Sequence, residues 1–347
     1  MSFARFKRSF GLIFVILSAV VMMFILFRND DLPNLLKAVK NINFNYITVA
    51  LAYIFIFWIL EAVMIYSLIV KFTDRGRNLR TFWLAVKVTM IGQYYSNITP
   101  LATGGQPVQL YVLKDDNISL SNGTAILISK FLLFQIGVTV YSFLLAIYKI
   151  KLLANYYNGA SIFIVAGLTL NVFMLSAIIL IAFNQQILLK LFESIFKLLH
   201  KIHVLKDVTK IMGKTEKFIS EYKESIGKLK EDYRFTIKMY VITFIQLTVF
   251  FSTTFFVYKS FNLNKSTITD IICLQAFLYM AVSFIPTPGT AGASEIGFML
   301  LLGHLFPANI ISTALLLWRG ISYYFSLIFS GAFSFAVTTL GKKKIIV

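Results

Sequence analysis

The chain has 347 residues, is 58% hydrophobic and only 14% charged, and carries a formal net charge of +18. Several apolar runs reach the ~20 residues that cross a hydrocarbon core, which excludes a soluble globular domain and predicts an all-α polytopic membrane protein. The basic residues gather between those runs, as the positive-inside rule expects, so the charge is not a nucleic-acid footprint.

In chain order, Arg5, Lys7 and Arg8 precede a first apolar run at 9–27. It has no clear small-residue cleavage site, so it reads as an uncleaved anchor with a cytoplasmic N-terminus. A second span at 46–70 returns to Lys71, Arg75, Arg77 and Arg80. Residues 81–113 are apolar but broken, 123–148 and 159–183 are continuous, and 184–234 is long and charged. Then come a span at 235–258, a second broken element at 270–306, and a last span at 309–340 closed by Lys342, Lys343 and Lys344. The single cysteine, Cys273, excludes an internal disulfide. Within the charged segment, Val208, Ile211, Met212, Thr215, Phe218, Ile219, Tyr222, Ile226 and Leu229 recur at helical spacing. This predicts a basic amphipathic helix on the inner leaflet, with a partner-binding helix as the alternative.

The two broken elements organise the chain. Residues 92–109 read GQYYSNITPLATGGQPVQ and residues 283–295 read SFIPTPGTAGASE. Aligned without a gap, they share Ser96/Ser283, Ile98/Ile285, Thr103/Thr290 and Gly105/Gly292. Lipid cannot satisfy a broken backbone, so such breaks survive only inside protein or facing a wet cavity. Paired Gly/Pro breaks in matching halves point to a transporter's binding site; two ordinary kinked helices are the plainer reading. If 81–113 crossed fully, the basic segment 184–234 would lie outside. We therefore read 81–113 as a re-entrant hairpin from the cytoplasm, and 270–306 as one from the opposite face. The expectation is about six full spans plus two re-entrant helical hairpins in two inverted-topology repeats, 1–158 and 159–347.

Each half places one cation on the helix after its hairpin, Lys130 and Arg319. Ionisable groups at such depth are costly and usually functional, with snorkelling or a structural ion pair as the alternative. Arginine suits bidentate phosphate contact, and lysine acts as a point charge. New helices start near Pro107 and Ser294, so Thr103, Gly104, Gly105, Thr290, Ala291 and Gly292 are expected to offer backbone donors to a phosphate. Glu295 and Glu61 either pair with Arg319 or Lys130, bind an amine, or carry a coupling proton. Lys87 is expected to snorkel. His200, His203 and His304 have no ligand-like companions, and no nucleophile–base set, phosphate loop or cysteine pair occurs. No metal, cofactor or catalytic residue is therefore expected.

The breaks also carry a family resemblance. Thr99-Pro100, Gly104-Gly105-Gln106-Pro107 with Gln109, Tyr111 and Leu113, and Pro286-Thr287-Pro288-Gly289 with Gly292 and Glu295, resemble the lysylphosphatidylglycerol synthetase transmembrane (flippase-like) family. Arg319 falls where that family's last helix carries an arginine. Ser129-Lys130 departs from the Glu-Arg pair of many members. The resemblance implies a multi-pass protein of a bacterial cell membrane, both termini cytoplasmic, linked to lipid metabolism and antimicrobial peptide resistance. Full-length relatives add a cytosolic aminoacyl-transferase domain, and no stretch here reads as one. The flippase half is then what is expected: a translocator of a phosphate-bearing phospholipid or related lipid, aminoacylated or not. The alternatives are a membrane subunit of a lipid-modifying enzyme and an ion-coupled carrier of small solutes. The expected substrate site joins Thr99, Pro100, Thr103, Gly104, Gly105, Gln106, Gln109 and Lys130 to Pro286, Pro288, Gly289, Gly292, Glu295 and Arg319, with Glu61 as a pairing or coupling residue. Expected partners are membrane phospholipids and a separate lipid-modifying enzyme, with a homodimer as one open assembly and no nucleic acid.

Overall fold

The structure, a computed structural model, describes residues 40–149, 208–283 and 285–340, with scattered positions between 165 and 196. The expected spans at 9–27 and, for the most part, 159–183 lie outside the described residues, as does the terminal lysine cluster. The described chain is all α-helical: α1 (Phe44–Phe72), α2 (Leu79–Asn97), α3 (Gly105–Asp115), α4 (Leu120–Tyr148), α5 (Val208–Glu231), α6 (Tyr233–Ser260), α7 (Ile268–Val282), α8 (Ala293–Leu301), α9 (Ile311–Arg319) and α10 (Ser326–Leu340). A π-helical stretch, Gly320–Phe325, joins α9 to α10 into one long element. Among the described residues, four helices are long and apolar enough to cross a membrane: α1, α4, α6 and Ile311–Thr339.

Local chemistry explains where these helices start. Asn43, Asn78, Ser119 and Asp232 each accept from a backbone N–H of the first turn of α1, α2, α4 and α6. Thr267 and Asp270 form a reciprocal capping box at α7. Such caps satisfy donors that a helix leaves open.

Contacts at the helix ends fix directions. Asn43 N–H donates to the Ser260 carbonyl at 2.8 Å, and Lys71 meets Asp232 at 2.6 Å, so α1 and α6 run antiparallel. Arg75, just past α1, pairs with Asp116 beyond α3 at 2.8 Å. The hairpin α2–α3 thus starts and finishes at the Phe72 end of the bundle. Lys87 also reaches Asp116 at that end, at 3.4 Å. At the other end, Lys149 after α4 pairs with Asp270 of α7 at 2.9 Å. Phe306, beyond α8, packs edge-on to Tyr258 of α6 with ring centroids 5.7 Å apart. The hairpin α7–α8 therefore starts and finishes at the opposite end. The tips meet inside the bundle, where Pro100 and Pro288 face one another in an isolated antiparallel bridge.

One apolar core surrounds the tips, with Trp58, Met90, Phe277, Phe298 and Trp318 buried in it. A second lies under the first hairpin, around Met64, Leu68, Leu84, Leu113 and Ile126. Large apolar side chains such as Phe143, Ile328 and Phe335 point outward, as lipid-facing positions do. The amphipathic helix forms as α5 but is not laid wholly on a leaflet. Ile219 and Leu229 are buried, and Lys228 lies over the Phe72 ring at 5.4 Å. The protein itself covers part of the apolar stripe, because α5 packs against α4.

Candidate functional site between the hairpin tips

The first tip turns through Leu101 and Ala102, both non-glycine residues at positive φ (52° and 54°). The second turns through Gly289, Thr290 and Gly292 at 58°, 54° and 86°. Left-handed backbone costs L-residues roughly 1–2 kcal/mol each, and such strain tends to collect at functional sites. Gly289 is needed twice over: its φ is positive, and a Cβ there would overlap the Tyr323 ring. Gly292 faces open space, so only its backbone conformation requires glycine.

The backbone donors expected to cradle a phosphate are already used. Thr103 N–H donates to the Pro100 carbonyl, Gly104 to Thr99 Oγ1, and Gly105 to the Ala102 carbonyl. Thr290 donates to the Thr287 carbonyl, Ala291 to that of Pro288, and Gly292 to Glu295 Oε2 at 2.7 Å. This corrects the sequence expectation for a physical reason. Tight turns spend their N–H groups on their own i→i+3 bonds, here even though Leu101, Ala102 and Thr103 are exposed.

The ionisable side chains form two separate pairs. Glu295, on the first turn of α8, accepts from Arg319 Nε at 2.6 Å while also capping Gly292. Arg319 Nη2 donates to the Gly289 carbonyl at 3.0 Å, and its guanidinium sits 4.7 Å from the Tyr323 ring centroid. Arg319 is only 4% exposed and sits immediately before the π-helical stretch, a geometry common at functional sites. In the other half, Lys130 of α4 pairs with Glu61 of α1, and Gln246 of α6 donates to Glu61 Oε2 at 2.6 Å. That cluster ties three long helices together.

Two adjoining cavities open beside these pairs. The smaller, about 310 Å³, is lined by Arg319, Gly289, Thr290, Asn97, Trp58 and Tyr323. The larger, about 550 Å³, is lined by Lys130, Glu61, Thr103, Gln106, Gln109 and Asn171. Gln93, Ser96, Phe134, Tyr279 and Ser283 line both, so the cavities share a wall at the tips. Each falls within the ~300–1,000 Å³ range of ligand sites. Three buried donors on these walls lack a partner among the described residues: Trp58 Nε1 and Asn97 Nδ2 in the smaller cavity, Thr89 Oγ1 in the larger. Buried polar atoms are nearly always paired, so this grouping suits an acceptor-rich ligand.

Of the expected site residues, Gly289, Arg319, Lys130, Glu61, Thr103, Gln106 and Gln109 line the cavities. Gln109 also spans the hairpin, donating to the Val88 carbonyl at 3.2 Å. Thr99, Pro100, Gly104, Gly105, Pro286, Pro288, Gly292 and Glu295 are not on the walls. Thr99, Gly104, Gly292 and Glu295 hold the tips or Arg319 in shape, and Gly105 lets α2 and α3 cross. Sequence reasoning missed Gln246, Asn97, Trp58 and Asn171. Polar residues inside apolar runs were a usable signal for Gln246 and Asn171.

The family of the lysylphosphatidylglycerol synthase TM region matches residues 10–330. The chain belongs to that family. A relative from Archaeoglobus fulgidus, a UPF0104 membrane protein, is 24% identical over 330 residues, covering 92% of this chain and 94% of its own. The matched region of the lysylphosphatidylglycerol synthase TM family includes both hairpins, both ion pairs and the cavity walls between them.

Proposed function

We propose that this protein is a flippase: it moves a phosphate-bearing lipid head group between leaflets through the two tip cavities. The observation that carries this reading is the arrangement at the tips. A cation–carboxylate pair stands on each cavity's side of the tips, beside buried donors with no protein partner. An isolated cation in low dielectric costs several kcal/mol, so Arg319 and Lys130 keep their carboxylates until a phosphate replaces them. Arginine then holds the phosphate through two parallel N–H bonds, and lysine receives it as a point charge. A freed Glu295 or Glu61 is neutralised by an amine if the head group carries one, as the lysyl group in the family's description suggests. The halves 1–158 and 159–347 act as inverted repeats whose tips part alternately. The basic distribution sets the Phe72 end, both termini and 184–234 on the cytoplasmic side of the cell membrane.

The second reading, a membrane partner of a separate lipid-modifying enzyme, draws on the family description, which names a synthase. Purified protein in liposomes with fluorescent phosphatidylglycerol separates the two. The flippase reading expects accelerated loss of leaflet asymmetry, with Arg319→Lys impaired and Arg319→Leu inactive. No movement by the purified chain, together with stimulated lipid modification when a transferase is added, would establish the second.

A further inference from the structure

A further concavity lies away from the tips and shares no residue with either tip cavity. It is a groove of about 800 Å³ between the C-terminal part of α1 and the N-terminal part of α6. Lys71, Arg77, Arg234 and Lys238 ring it, against one carboxylate, Asp232. Asp232 is committed to Lys71 at 2.6 Å and to the Phe235 N–H at 3.0 Å. The Lys71 hydrogen bond, helped by that N–H, holds the carboxyl below its ordinary range. Arg234 donates from Nε to the Tyr233 hydroxyl at 3.2 Å. Arg77, Arg234 and Lys238 thus face the groove with no salt bridge to a carboxylate among the described residues, and Lys238 feels Asp232 only at longer range.

Deeper along α6 the lining becomes apolar. Ile237 and Val241, one turn apart on one face, are 56% and 53% exposed. A charged mouth at a helix end and an apolar track beneath it match an amphiphile standing in a leaflet. A soluble anion has no use for the apolar track, and a neutral lipid leaves Arg77 and Arg234 uncompensated and Lys238 offset only in part by Asp232.

We propose that this groove holds one anionic glycerophospholipid, its phosphate among Arg77, Arg234 and Lys238 and its acyl chains along Ile237 and Val241. The site stands apart from the translocation cavities and does not depend on the transport reading. A bound lipid here bridges the α1–α6 pair at the end where the α2–α3 hairpin is anchored.

The test is native mass spectrometry of the full chain in nanodiscs of phosphatidylglycerol or phosphatidylcholine. It is combined with a photoreactive phosphatidylglycerol mapped by peptide. Retention of one phosphatidylglycerol, crosslinked within 234–242 and resistant to millimolar inorganic phosphate, is expected. At about fivefold per lost cation, Arg77→Gln with Arg234→Gln and Lys238→Gln should weaken retention about a hundredfold. Lys238→Gln alone, on an exposed side chain, gives about fivefold should the triple variant not purify as a single species. Arg319→Leu should leave this crosslink unchanged even if it stops transport. Equal retention of phosphatidylcholine, displacement by inorganic phosphate, or unchanged retention in the variants would overturn the proposal.

Discussion

At Arg319 three kinds of contact converge on one guanidinium: a carboxylate, a hairpin carbonyl and an aromatic face. The Lys130–Glu61 pair is built differently, with one carboxylate shared between a cation and the Gln246 amide. A point charge on a flexible stem exchanges partners more readily than a planar fork held by several groups. This asymmetry makes Lys130 the better place to separate stability from function. Glu61→Gln leaves Lys130 without its counter-ion and should destabilise the protein by up to about 3–5 kcal/mol, the range for breaking one side of a buried pair. Glu61→Leu with Lys130→Leu removes both charges and should recover most of that loss while abolishing lipid movement. Thermal unfolding in detergent read beside liposome transport checks both. A double variant that is stable and still transports would remove Lys130 from the site.

The hairpins show how far a sequence can speak for an element. Pro100, Gly104-Gly105, Pro286 and Pro288 marked both breaks, and the helices end within a few residues of the expected bounds. Proline and glycine act locally, so their effect is legible in one dimension. The pairing of Glu61 with Lys130 and of Glu295 with Arg319 was open, because it depends on which helices pack together. The positive φ of Leu101 and Ala102 was not legible either, since tertiary contact imposes it on ordinary residues. The lipid groove was hidden for another reason: its cations lie on either side of a long sequence gap and each reads as a routine flanking charge. Within the first hairpin, a Cβ on Gly105 would overlap Ser96 Oγ and approach the Gly92 carbonyl at 3.1 Å. Small residues let helices cross this closely in a membrane. Gly105→Ala should therefore cost about 1–3 kcal/mol, the usual range for overpacking, and Ser96→Ala should relieve part of it. Unfolding of the single and double variants measures the coupling; additive effects would mean that α2 and α3 do not touch there.

Seen as a whole, the molecule is two hairpins held at opposite ends and joined at their tips. Arg75–Asp116 anchors one base and Lys149–Asp270 the other, while Pro100 and Pro288 meet at the tips, next to Leu101, which lines both cavities. Fixed bases and an isolated central bridge suit a gate, because neither proline donates an N–H and only flanking backbone groups can bond across it. If the tips part to let a lipid head group pass, as the proposed function has it, that junction has to open. Paired residues in an antiparallel bridge sit roughly 4.5–5.5 Å apart at Cα, within the span a disulfide closes. Cysteines at Pro100 and Pro288, in a Cys273→Ser background that removes the only native thiol, should therefore crosslink on mild oxidation. The reduced double variant should transport, the oxidised one should not, and reductant should restore movement. Gel mobility after proteolysis between the hairpins reports the crosslink, and liposome assays report transport on the same sample. Oxidised protein that carries lipid at the reduced rate would mean that the tips form a fixed strut, and that lipid passes without their parting.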